Sequence, residues 1–414
     1  MLSSSAQAFL KKAIQLAGKR CGYEFLREFN SLRYERELLL NYTWKIPECD
    51  EITSADVSDT FREIDFDTLI VQTAKHLDES DYANMLYELA ELADQFGELK
   101  KALFLLRKII DRYRDCVHPS RLAHAYKLRA DIALRQNDFS HCKADYETCL
   151  EIFKQIKDTV GIASTMNGLG VLMVEQNDPE AGKHHLQEAH NLAAEIGAQD
   201  LSIDTSYNLG NTCHILGDYP AATEWYENAL SLLGENNAVD ARAAIFHNMG
   251  IVLKSQQKLS EAGEFFTQSF TMAEKSENLY MKGLSYLSQA ELACMLGDYS
   301  KATAQALSSF TIFTQLHDRL SIADVYKVLG MIHREIKRVD VAISYFENSL
   351  RINEECDGTL NYGETAFELA QTYVKTGELS KAEIQLNDAR SSFEQLNAKA
   401  KLQMVENYMT QLSI

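Results

Sequence analysis

A small residue recurs every forty positions through most of this chain, and that period limits what it can fold into. The positions are Ala90, Ala130, Gly170, Gly210, Gly250, Ala290, Gly330 and Ala370. Repeats of this length mark arrays of one supersecondary unit, each unable to bury its apolar face alone. Twelve residues after each anchor comes a second small slot: Ala102, Cys142, Gly182, Ala222, Ala262, Ala302, Ala342 and Ala382. Seven further on lies a third, Ile109, Cys149, Ala189, Ala229, Ser269, Ser309, Ser349 and Ala389. A large residue usually sits between them, as at Leu106, Tyr146, Leu186, Tyr226, Phe266, Phe346 and Leu386, with Ala306 the exception.

Around each anchor the apolar residues recur three and four apart, which is the pattern of a helix with one buried face. A turn signal follows seven to eight residues later, as in Gly97-Glu98, Asn137-Asp138, Asn177-Asp178, Gly217-Asp218, Gly297-Asp298 and Gly377-Glu378. Glycine or asparagine there can adopt the left-handed conformation that ends a helix. A second helix then begins, so each repeat is a helical hairpin. Alanine or glycine where two helices cross lets the backbones approach, and a large neighbouring side chain fills the space alongside.

The pattern of a small residue, then Gly-Asp-Tyr, then an alanine-aromatic-alanine run resembles the tetratricopeptide repeat. It is clearest in YNLGNTCHILGDYPAATEWYENAL, residues 207–230, and covers roughly residues 83–395. The forty-residue period exceeds the common thirty-four. It is similar to that of longer-helix members such as kinesin light chains, Leu-Gly-Asn-repeat adaptors and bacterial Rap regulators. The proline that often closes the second helix is missing, in keeping with longer helices. The resemblance implies an all-α fold, a right-handed superhelical solenoid of about eight antiparallel helix pairs.

The ends depart from the period. Residues 1–78 read as an N-terminal helical region, with a helix over 4–40, an irregular acidic stretch at 42–59 and a helix over 60–78. The acidic stretch contains Pro47, and Ser54 or Ser58 starts the following helix. The repeats occupy 79–396, and 397–414 form a capping helix. Terminal units of a solenoid are expected to be atypical because one face meets water.

Composition narrows the functions. The chain has 41 basic and 60 acidic residues and a net charge of −19. Affinity for nucleic acid comes mainly from Lys and Arg on phosphates, so that partner is not expected. No apolar run reaches the eighteen or so residues of a membrane span. The 8 cysteines form no CxxC pair, and several occupy small slots of the repeat. They read as reduced core thiols and place the chain in the cytoplasm. The basic residues Lys11, Lys12, Lys19 and Arg20 keep mitochondrial import as a minor alternative.

No catalytic motif is found, and neither a cofactor nor a metal is expected. His184, His185, His190 and Glu188 read as a polar outer face. The inner face of each first helix is more varied. Its middle repeats carry Asn167, Tyr207, Asn208, Asn211, His214, His247 and Asn248, with Lys327 in the corresponding slot farther along. These are the candidate groove residues. Asparagine both donates and accepts, so it can pair with the backbone of an extended peptide. Resemblance to Asn-Leu-Gly-Asn repeats implies such a grip for Asn208, Asn211 and Asn248. Asn208 and Asn248 can equally bridge adjacent helices. The lysine and asparagine clamp of co-chaperone relatives is not reproduced, because Lys127 is followed by Asp131 and Asn167 by Val171.

The expected function is a non-enzymatic scaffold or adaptor that holds an extended or helical segment of a partner protein in its concave groove. A peptide-responsive switch like the Rap regulators, with moving N-terminal helices, is the alternative. The partner and the oligomeric state are not legible.

Overall fold

The computed structural model describes residues 3–41, 63–234, 238–356, 358–396 and 398–412. Every regular element among them is a helix. The expected irregular stretch at 42–59, with its helix start, lies outside the described residues. The chain divides into two compact units, Met1–Leu172 and Met173–Ile414.

The first unit begins with α1 (Ser4–Asn41) and α2 (Glu63–His76). The hairpins α3 (Glu79–Gln95)/α4 (Leu99–Arg112) and α5 (Pro119–Arg135)/α6 (Phe139–Ile156) follow, then most of α7 (Thr159–Glu175). The expected unbroken helix over 4–40 is corrected here. Gly22 has φ 84° and ψ −174° and splits α1 in two, a conformation that only glycine adopts readily. The first half of α1 buries Phe9, Leu10, Ala13 and Ala17. The Phe9 ring lies 5.8 Å from Phe66 on α2 and 6.5 Å from Phe96 at the end of α3. Ser5 Oγ donates to the Phe96 carbonyl at 2.6 Å, and Arg20 Nε to Glu88 at 3.0 Å. The N-terminal helices thus cover the open side of the first hairpin.

The second unit contains α8 (Pro179–Glu195), then the pairs α9 (Gln199–Ile215)/α10 (Tyr219–Leu232) and α11 (Val239–Ser255)/α12 (Leu259–Lys275). It continues with α13 (Leu279–Met295)/α14 (Tyr299–Leu316), α15 (Arg319–Glu335)/α16 (Val339–Glu355) and α17 (Thr359–Thr376)/α18 (Leu379–Gln395). The closing helix α19 (Lys399–Leu412) buries Val405 and Met409 against Phe367, Leu386 and Phe393.

Local chemistry sets the hairpin register. Residues 97, 137, 177, 217, 257, 297, 337 and 377 all have positive φ. The residue after each donates its N–H to the carbonyl five positions back, as in Asp218 to Cys213 and Lys258 to Leu253, both 2.9 Å. This bond satisfies a carbonyl that the helix end leaves open. Asp138, Asp178, Asp218 and Asp298 then cap the next helix by accepting a backbone N–H three residues on. Gln257 and Lys337 occupy the same left-handed position without being glycine or asparagine, which is why composition alone did not mark those two turns.

The small slots follow volume. An added Cβ at Gly210, Gly250 or Gly330 would stand 2.5, 2.5 or 2.6 Å from the ring of Tyr226, Phe266 or Phe346. The large residue therefore comes from the partner helix of the same hairpin. Where the anchor is alanine the partner is generally smaller, as in Ala370 with Leu386 and Ala290 with Ala306. The serines of the third slot clasp the hairpin too. Ser269, Ser309 and Ser349 donate to the carbonyls of Ala243, Gly283 and Ala323 at 2.8, 2.9 and 2.8 Å. Cys142 and Cys149 are fully buried in their slots.

Candidate functional site

Of the eight candidate groove residues, Asn167 lies on α7 in the first unit and the other seven in the second. Those seven sit on α9, α11 and α15, the first helices of their hairpins. Four of them form one cluster with their neighbours. Tyr226 donates its hydroxyl to Asn211 Oδ1 at 2.6 Å. Asn248 Nδ2 donates to the same Asn211 oxygen at 2.8 Å and to the Tyr207 hydroxyl at 3.1 Å. Asn248 therefore ties α11 to α9, the inter-repeat bridge that the sequence left open beside a peptide grip. Asn208 is half-buried on the adjoining turn, and its carbonyl accepts from Thr212 Oγ1 at 2.8 Å.

His214 is half-buried, with Nε2 3.4 Å from Ser255 Oγ on α11. Burial lowers its pKa, and the ammonium groups of Lys401 on α19 and Lys254 on α11 lower it further. His247 is buried at 7% exposure, its ring 5.7 Å from Phe266. Its Nδ1 has no hydrogen-bond partner. Burial, with Lys254 in support, pushes its pKa down to about 4. It serves the packing of α11 more than an open surface.

Lys327 belongs to a charge ladder. Lys254 on α11 reaches Glu291 on α13 at 2.6 Å. Lys327 on α15 reaches Glu364 on α17 at 2.5 Å and Asp324 on its own helix at 3.1 Å. Lys401 on α19 reaches the other oxygen of Glu364 at 2.5 Å. Burial alone would lower the Lys327 pKa, but Glu364 and Asp324 outweigh it and hold the ammonium above the ordinary lysine value. Burial likewise opposes the Glu364 carboxylate, yet Lys327 and Lys401 bring its pKa below the usual range. Asp324 goes the other way: burial raises it despite Lys327. In a partly desolvated face such pairs lose much if one partner is removed.

The ladder residues Lys254, Glu364 and Lys401 were missed by the sequence reading. The contacts run 37 residues apart at Lys254–Glu291, Lys327–Glu364 and Glu364–Lys401, as they do for Asn211–Asn248. Successive first helices meet about one turn out of phase with the forty-residue repeat. A search for opposite charges at the period less three would have found them.

Elsewhere the outer-face reading of His184 fits, since it is exposed and 3.7 Å from Glu188. Lys127 pairs with Asp131 at 2.9 Å on α5. No helix among the described residues is long and apolar enough to cross a membrane.

The tetratricopeptide repeat family matches this chain over residues 201–275 and 321–395. No protein of curated function matches it in sequence. Solved structures resemble it in fold at low identity. A Rap protein complexed with Competence and Sporulation Factor aligns with a TM-score of 0.62 at 13% identity, over 94% of this chain and 99% of its own. The Rap conjugation gene regulator of plasmid pLS20, solved with the Phr* peptide, gives 0.59 at 14% identity, over 77% and 93%. Aspartyl phosphate phosphatase F from Bacillus subtilis gives 0.59 at 13% identity, over 95% of each chain.

Proposed function

Because the chain is a tetratricopeptide-type repeat protein, we propose that its second unit is a protein-binding scaffold, holding a peptide segment of a partner against the first-helix faces of α9 and α11. The observation that carries this reading is the side-by-side placement of amide, hydroxyl and imidazole groups there, at Tyr207, Asn208, Asn211, His214 and Asn248. Amides of this kind recognise peptide backbone whatever its side chains. Asn167, on α7, and Lys327, at the ladder, are the outlying members of the proposed set, and His247 supports α11 from beneath. The reading is non-catalytic and needs no cofactor. Two proteins of similar fold were solved in complex with Competence and Sporulation Factor and with the Phr* peptide, which lends it support. Another protein of similar fold is aspartyl phosphate phosphatase F, so hydrolysis of a phosphorylated partner by this chain would overturn the non-catalytic part.

The test is partner capture with Asn208→Ala, alone and combined with Asn248→Ala. Retention should fall about five- to thirtyfold, one charge-neutral hydrogen-bond set being worth roughly 1–2 kcal/mol. The thermal melt should show the single variant still folded. Undiminished capture by both variants would reject the groove.

A second reading, that the N-terminal helices respond to the ligand, is favoured by how they are held. α1 and α2 rest on the first hairpin through Phe9, Phe66 and the Arg20–Glu88 pair, and the glycine break at Gly22 gives α1 a pivot. Saturating a captured peptide should change amide exchange of residues 3–41 and 63–76. Equal protection with and without peptide would remove the switch and leave the scaffold.

A further inference from the structure

We propose that the outer face of α4, on the first unit, attaches the protein to the anionic surface of a lipid bilayer. Phe104 enters the headgroup layer, and Lys100, Arg107 and Arg112 meet the lipid charges. The helix reads LKKALFLLRKIIDR, with five basic residues and Asp111 as its one acid. None of the other second helices, α6 to α18, carries more than two Lys or Arg. In a chain of net charge −19, this is a local concentration of positive charge and not a consequence of composition.

Phe104 stands in the middle of it, 49% exposed. Residues three and four positions away on a helix are surface neighbours. For Phe104 all four are cations: Lys100, Lys101, Arg107 and Lys108. The ring packs edge-to-face with Phe66 of α2, centroids 6.4 Å apart, so one side is anchored while the other meets solvent.

The cations divide into spent and unspent. Lys101 pairs with Glu98 at 2.6 Å, and Lys108 donates to the Tyr82 hydroxyl at 2.8 Å. Lys100, Arg107 and Arg112 are exposed and make no ion pair or hydrogen bond among the described residues. Burial lowers the Lys108 pKa, and the Arg112 charge lowers it further, in keeping with positive charge left without a counterion.

The chemistry of this face fits a bilayer better than a folded partner. Its polar residues are Lys, Arg and Asp, with no amide or hydroxyl to fix a partner's orientation. The Asn and Tyr groups of α9 and α11 are the contrast. Cations on long stems meet a fluid layer of headgroups without fixed geometry, and an exposed phenyl ring gains from the apolar region beneath. Salt screens charges farther than about 8 Å, so acids on other repeats do not cancel the attraction. Three unpaired cations at about fivefold each and the ring at about tenfold give roughly a thousandfold preference for the surface. The attachment is weak and reversible.

The test floats the full chain with vesicles of phosphatidylcholine, with and without about one third phosphatidylglycerol, at millimolar lipid and about 0.1 M salt. The protein should rise with the anionic vesicles, stay down with the neutral ones, and come off at about 0.5 M salt. Lys100→Gln with Arg107→Gln should lower binding about twenty-fivefold, and Phe104→Ser about tenfold. These side chains are exposed, so the variants should melt as the wild type does. Lys381→Gln with Arg390→Gln, on α18, removes the same charge elsewhere and should leave binding unchanged. Phe104→Trp should be quenched by brominated lipid beyond the wild-type level. No binding to anionic vesicles, equal binding to neutral ones, an equal loss in the α18 pair, or no added quenching would each overturn the proposal. So would soluble polyglutamate or an oligothymidylate binding as tightly as the vesicles, which would make an acidic macromolecule the occupant. None of these outcomes touches the α9–α11 groove, since no residue there is changed.

Discussion

Gly250→Leu should destabilise the second unit by about 2–3 kcal/mol, and Gly250→Ala by a smaller but measurable amount. A Cβ at this position would meet Phe266 Cε1 at 2.5 Å and Cδ1 at 2.6 Å. Phe266 is fully buried, so its ring cannot turn aside without disturbing its own neighbours, Ala262, Leu253 and Leu292. The repeat itself suggests the remedy. Where the anchor is Ala370 the facing residue is Leu386, and the same pairing occurs in sequence at Ala90 and Leu106. Phe266→Leu alone leaves a cavity and should cost about 1 kcal/mol or more. Combined with Gly250→Ala, it should recover part of the loss, because the new methyl occupies space the ring vacates. Urea midpoints of the wild type, two singles and the double give the coupling directly. Strictly additive losses would show that the anchor and the large slot do not share one volume.

Acidification from pH 7 to 4 should cost the folded state about 3 kcal/mol through His247 alone, since each pKa unit corresponds to about 1.4 kcal/mol. Burial holds its pKa near 4 in the fold, with Lys254 adding to the effect and Glu291 opposing it. The unfolded chain returns it to the ordinary histidine value near 6.5. A depressed folded pKa means that the unfolded state binds the proton first. The stabilising contribution is therefore complete above about pH 6.5 and is lost as pH falls toward 4. Glu364, lowered by Lys327 and Lys401, adds a loss of the same sign at pH values below the ordinary glutamate range. His247→Leu separates the two. Its buried Nδ1 has no partner to lose, so stability at pH 7 should hold or rise. The slope between pH 6.5 and 4 should flatten. An unchanged slope in His247→Leu would mean that the imidazole is not the group responsible.

Both expectations rest on features that differ in how visible they are from sequence. The anchor at 250 and the large slot at 266 could be read directly, because each repeat presents the same size pattern in the same register. His247 could not. It shares its helical slot with Tyr207 and Lys327, yet Tyr207 is half-buried and reaches Asn248, while His247 is turned against Phe266. A slot predicts which side of a helix a residue occupies, not how deeply its neighbours cover it. The break at Gly22 was hidden for a similar reason, since the apolar spacing runs on across it while the backbone there turns to a positive φ.

What the sequence determined by itself was the forty-residue period, the two helices within it, their turns and the small slots where they cross. These are local or nearly local matters: caps bond within a few residues, and the close approaches lie within one hairpin. The tertiary structure decided which polar groups of the inner face are spent on one another. Asn248 meets Asn211, Lys254 meets Glu291 and Lys327 meets Glu364 because consecutive first helices cross about one turn out of phase. That offset is a property of helix packing, and no residue carries it alone.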